Sequence, residues 1–119
     1  MSINTALNEL LELDGATAAA VVDYNTGMLL GAAGSGIDLE IAAAGNTEVV
    51  RSKLKTIEML GLNEKIEDVL ITLSSQYHLI RPLEGEDDLF IYYVLDSTKA
   101  NLALARRKLK KVESELIVD

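Results

Sequence analysis

The run Leu89-Phe90-Ile91-Tyr92-Tyr93-Val94-Leu95 is apolar at every position. Successive side chains of a strand point to opposite faces, so this segment must be covered on both and belongs at the centre of a sheet, with helices above and below. Ala16 to Asp23, built largely of small and β-branched residues, makes the same demand. A sheet with one face in water is thereby excluded. At 119 residues the chain has the size of one domain, so both layers of helices have to be found within it. Residues 1–119 are accordingly expected to form a single domain.

The helices announce themselves by apolar residues spaced by three and four. Ile3, Ala6, Leu7, Leu10 and Leu13 form a stripe over Ser2 to Asp14, which Asp14-Gly15 ends. A long second helix is predicted from Leu39 to Leu60, with Asp38 as its N-cap and Gly61 just past its end. From Ser97 onward, Leu102, Ala105, Leu109, Val112 and Leu116 define a third. Between the first two helices, Ala16 to Asp23 and Met28 to Ala33 flank the turn residues Tyr24-Asn25-Thr26-Gly27 and form a hairpin. Val69 to Ser74 and Tyr77 to Pro82 supply strands three and four around a tight turn, and Leu89 to Leu95 is strand five. The expected fold is of α+β type, a five-stranded antiparallel sheet in the order αββαβββα. The single-striped first and third helices share one face, and the long second helix covers the other.

Gly15-Ala16 leads into Ala20-Val21-Val22-Asp23 and the turn Gly27-Met28-Leu29, and the second helix starts Ala-rich. Asp96 is followed by Ala100-Asn101-Leu102-Ala103-Leu104-Ala105-Arg106. Taken in order over nearly the whole chain, these segments resemble a bacterial member of the roadblock / dynein light-chain family. The resemblance implies a homodimer in which two third strands join the sheets edge to edge and two second helices pack across the seam. It further implies a non-catalytic platform that docks small Ras-like GTPases or larger assemblies.

A helical wheel supports a second copy independently. Leu39, Ala43, Asn46, Val50, Leu54 and Ile57 make one stripe of the second helix, while Ile41, Gly45, Ser52, Thr56 and Met59 make another, well separated from it. A helix with two uncharged faces needs two partners. The first stripe packs on its own sheet, and the second is small-sided enough for another helix to approach closely. The candidate dimer or partner interface is therefore Ile41, Gly45, Ser52, Thr56 and Met59, joined by Leu70 and Thr72 on the third strand.

Other constellations carry less. Gly31-Ala32-Ala33-Gly34-Ser35-Gly36 has the look of a phosphate loop, but Ile37 and Asp38 stand where Lys and a hydroxyl residue belong, and Leu39 where a dinucleotide fingerprint needs Gly. A flexible connector accounts for it. His78, the one histidine, has no neighbouring nucleophile or second metal ligand and is expected as a packed or cross-strand residue. Glu84, Glu86, Asp87 and Asp88 lack the oxygen spacing of a calcium loop and form a solvated turn. With 0 Cys and 1 His, thiolate metal sites, disulfides and cysteine nucleophiles are excluded, and no cofactor or metal is expected.

Net charge is −8, which opposes binding to nucleic acid or anionic lipid. The imbalance is local: residues 99–119 hold six bases and three acids, against five bases and sixteen acids before them. Lys99, Arg106, Arg107, Lys108, Lys110 and Lys111 spread over the polar side of the third helix, where cations favour the helix dipole. Arg51, Lys53 and Lys55 interleave with Glu48 and Glu58 as helix-surface pairs. The N-terminal residues have neither the basic start nor the apolar run of a secretory signal, and no later stretch suits a membrane span, so a cytoplasmic location is expected. The expected function is a homodimeric adaptor for a small Ras-like GTPase or another cytosolic protein. The competing reading is a small-ligand sensor with an apolar pocket between sheet and long helix, but strand five contributes only Tyr92 and Tyr93, on opposite faces, to such a pocket.

Overall fold

In a computed structural model, which describes residues 1–85 and 88–118, eight elements follow one another in the expected order. The Ser2 hydroxyl accepts the N–H of Thr5 at 3.2 Å and starts α1, Ile3–Leu10. This helix stops at Leu10 rather than at Asp14, because the N–H groups of Glu12, Leu13 and Ala16 each turn back to the carbonyl three residues earlier. Those tight turns deliver the chain to Gly15, whose φ of 88° and close approach to Ala100 exclude a side chain: a Cβ there would lie 2.7 Å from the Ala100 nitrogen. The hairpin β1, Ala16–Asp23, and β2, Met28–Gly34, follows.

Asp38 caps the long helix α2, Leu39–Met59, its Oδ1 accepting the N–H groups of Glu40 and Ile41 at 3.1 Å. Then come β3, Val69–Thr72, β4, Gln76–Pro82, β5, Leu89–Asp96, and α3, Leu102–Glu115, capped by the Asn101 side chain. No helix among the described residues is long and apolar enough to cross a membrane.

All strand pairs are antiparallel, in the order β2-β1-β5-β4-β3. The doubly apolar β5 is central, as its sequence requires, and β2 and β3 form the edges. Residues of β5 divide by parity between two cores. Ile91, Tyr93 and Leu95 join Leu7 and Leu10 of α1 and Ala105, Leu109 and Val112 of α3. Phe90, Tyr92 and Val94 join Ala43 and Val50 of α2. At about 25 cal/mol per Å² of apolar surface removed from water, these two layers are the main stabilising contribution.

Among the described residues, Arg51, Lys53 and Lys55 form no ion pair with Glu48 or Glu58, so the pairing predicted along α2 is not made. All five side chains are exposed, where such pairs gain little against the loss of side-chain freedom. In the acidic turn, Glu86 and Asp87 lie outside the described residues. Its flanks are held: the Glu84 N–H donates to Glu113 Oε2 at 2.8 Å, and the Asp88 carbonyl accepts the Tyr24 N–H at 2.8 Å.

Candidate protein-interaction surface

The edge of β3 is the first component. The Leu73 N–H donates to the Gln76 carbonyl at 2.8 Å across a turn of Ser74 and Ser75, and Ile71 stands opposite His78 in the same register. Antiparallel pairs alternate between hydrogen-bonded and non-bonded, so Val69 and Ile71 bond inward to β4 while Leu70 and Thr72 aim their N–H and C=O groups out of the open edge. The other edge is blunted. Leu30 bulges out of β2 between the pairs Val21–Gly31 and Val22–Leu29, and α1 lies so close over β2 that a Cβ on Gly31 would come within 2.5 Å of Ile3. Among the described residues, no bulge interrupts β3 and no backbone hydrogen bond reaches its outward groups.

The second component is α2. Its inner stripe lies toward the sheet as expected, with Ala43 and Val50 buried and Leu39, Asn46, Leu54 and Ile57 half-buried. Ile41, Gly45, Ser52, Thr56 and Met59 are all exposed, Ile41 at 72% and Met59 at 78%. A Cβ on Gly45 would meet nothing within 4 Å. The Thr56 hydroxyl turns back to donate to the Ser52 carbonyl at 2.9 Å.

The structure does not bring all seven predicted residues onto one face. Leu70 packs with the α1/α3 core, and Thr72 shares its side of β3, opposite to α2. At the open edge these two offer their backbone N–H and C=O groups rather than their side chains. What links α2 to β3 is a set of residues that periodicity alone did not pick out. The helix packs over β1 and β2, leaving beside β3 a cleft of about 490 Å³ lined by Val49, Lys53, Ile57, Leu62, Ile66 and Val69, with Glu64, Lys65 and Asp68 on its rim. Val49 and Lys53 fall between the two stripes of the wheel, and Leu62 and Ile66 sit in a connection without periodicity. The available signal was the density of apolar residues from Met59 to Ile66 beyond the helix end.

Next to this cleft, on the α2 side of the sheet, His78 is held at both nitrogens. Gln76 Oε1 lies 2.8 Å from Nε2, so Nε2 carries the proton, and the Tyr92 hydroxyl donates to Nδ1 at 2.9 Å. Burial holds the imidazole below its usual pKa. Burial also raises Tyr92, with the Asn46 side chain pulling the other way, and raises Tyr93, whose hydroxyl donates to the Leu10 carbonyl. Both tyrosine hydroxyls are thus committed inside the two cores. At the other end of β5, the Thr98 hydroxyl and N–H hold the Asp96 carboxyl below its ordinary value.

Fold and surface define a class: a three-layer α+β domain with one open sheet edge beside an uncovered helix flank. Comparison with solved structures places that class. MglB of Myxococcus xanthus superposes with a TM-score of 0.83 at 22% identity, over 95% of this chain and 89% of that one. A Roadblock/LC7 domain from Streptomyces avermitilis gives 0.83 at 11% identity, over 97% and 94%. MglB solved in a tetrameric arrangement gives 0.80 at 17% identity, over 93% and 82%. No family model matches the sequence, and no curated protein sequence matches it. The chain has the roadblock/LC7 fold, as its sequence resemblance implied.

Proposed function

We propose that this chain is a non-catalytic homodimeric adaptor of the cytoplasm, which docks a small Ras-like GTPase or another protein and acts on it by position. The observation that carries this reading is the contiguity of the open β3 edge with the uncovered flank and outer stripe of α2. Two β3 edges paired antiparallel about a two-fold axis would satisfy the outward N–H and C=O groups of Leu70 and Thr72 reciprocally. The same axis would bring two α2 flanks together over the joined sheet and cover Val49, Leu62 and Ile66. Ile41 and Met59, at the two ends of the exposed stripe, are then available to a partner. The resemblance to roadblock proteins supplies the GTPase as partner class, and the tetrameric arrangement described for MglB supports assembly through this fold.

Two features support action without catalysis by this chain. The one imidazole has both nitrogens engaged by Gln76 and Tyr92 and stands ready to move no substrate proton. At the start of α2 the Asp38 carboxylate already occupies the N–H groups of Glu40 and Ile41, which a phosphate would need. Capture from native lysate with the tagged chain tests the reading. A Ras-like GTPase or another specific protein should be retained by the native chain and lost with Ile41→Asp. Equal retention by both would remove α2 from the docking surface.

A further inference from the structure

The bases of α3, which look evenly dispersed on a helical wheel, are sorted by the fold into two flanks. On the flank toward α1, Lys108 and Lys111 converge on Glu9 at 3.8 and 3.5 Å. On the flank toward the β3 edge, Arg106 bonds Asp68 through Nε and Nη2 at 2.9 and 3.1 Å. That bidentate grip raises the Arg106 pKa and fixes its plane, leaving three of its five N–H donors unused. Arg107 and Lys110, on the same flank, are exposed and form no ion pair among the described residues.

These side chains line a hollow. Leu102, Ala103, Arg106, Arg107 and Lys110 border an open space of about 630 Å³ along α3, and Arg106 and Lys110 also border an adjoining one of about 300 Å³ that Glu67, Asp68 and Arg81 wall. Of the acids at its inner end, Glu67 is exposed and forms no ion pair among the described residues, and the others are engaged. Asp68 is held by Arg106, while Glu113 gives one oxygen to Arg81 at 2.7 Å and the other to the Glu84 N–H. Against the one unengaged carboxylate of Glu67, Arg107 and Lys110 leave this flank with a net positive charge, in a chain whose net charge is −8.

We infer that this cleft along α3 docks an acidic, partly apolar segment of a partner protein, its carboxylates on Arg107, Lys110 and the free donors of Arg106, its apolar side chains on Leu102 and Ala103. Two uncommitted cations per copy are too few to hold a phosphate backbone against the field of an acidic protein, and no aromatic ring lines the hollow for a base to stack on. The apolar floor is equally too small for a lipid surface. The cleft lies on the α1/α3 side of the sheet and is complete within one copy.

Anisotropy titration decides it, using the whole protein at low salt and a labelled, terminally blocked peptide of the length of α3 that carries adjacent glutamate and leucine faces. Saturable binding is expected, weakened by salt and about tenfold weaker for Arg107→Glu/Lys110→Glu. Arg51→Glu/Lys55→Glu, with the same net charge and at exposed positions outside both clefts, should bind as the native protein does. Absence of saturable binding, equal loss in both variants, or preferential binding of duplex DNA or phosphatidylserine vesicles would overturn the proposal. Circular dichroism confirms that both variants, changed only at exposed positions, are folded.

Discussion

His78 shows how one residue can be tied into the fold without being a site. Its neutral ring is fully satisfied, donating from Nε2 to Gln76 and accepting at Nδ1 from Tyr92. A second proton on Nδ1 would leave the Tyr92 hydroxyl hydrogen to find another acceptor inside the α2 core. Burial lowers the folded pKa from 6.5, so below that value the unfolded chain takes up a proton that the folded chain refuses. The contribution of His78 to stability is complete above pH 6.5 and is lost as pH falls toward the folded value. Urea midpoints should therefore decline between about pH 7 and pH 5 in the native protein and less so in His78→Gln. Asp96, whose carboxyl is held low by Thr98, titrates in a separate and more acidic window. A midpoint equally pH-dependent in both proteins would assign the effect elsewhere.

At the scale of elements, α2 carries the main test of packing against exposure. Within one copy Gly45 faces open space, and glycine inside a helix costs about 1 kcal/mol relative to a good helix former. Gly45→Arg should thus leave the stability of a single copy unchanged or slightly raised while weakening association, as read by urea denaturation beside sedimentation. A substitution that lowered stability and left association intact would place Gly45 in a packed position instead. The elements themselves were largely legible in the sequence, because alternation and three-four spacing report local geometry. The doubly apolar run at Leu89 to Leu95 even placed β5 at the centre. The premature end of α1 was not legible: Leu13 continues the helical spacing, and only the contact of Gly15 with Ala100, far along the chain, reveals why the backbone turns early. The proposed seam was half legible. Periodicity found the outer stripe of α2, but the flank facing β3 depends on where the helix crosses the sheet. Similarly, Leu70 and Thr72 belong to the surface through their outward backbone groups, which follow from the Leu73–Gln76 hydrogen bond and not from side-chain type.

On the scale of the whole molecule, the two edges of the sheet differ, and the proposed association rests on that asymmetry. β2 is bulged at Leu30 and overlaid by α1, whereas β3 presents a straight, unpaired edge beside an apolar cleft. An acidic chain gains solubility from its charge, yet that charge does not protect an edge made of Val69-Leu70-Ile71-Thr72. In the proposed dimer, pairing with a second copy would. Thr72→Pro isolates this claim, since its N–H points away from β4: proline there removes the outward donor and leaves the β3–β4 hydrogen bonds in place. Light scattering at tens of micromolar, on the native protein and on Thr72→Pro, is the most direct measurement. The account predicts twice 12.9 kDa for the native chain and 12.9 kDa for the variant. A native mass of 12.9 kDa, or a dimer indifferent to Thr72→Pro, would contradict it.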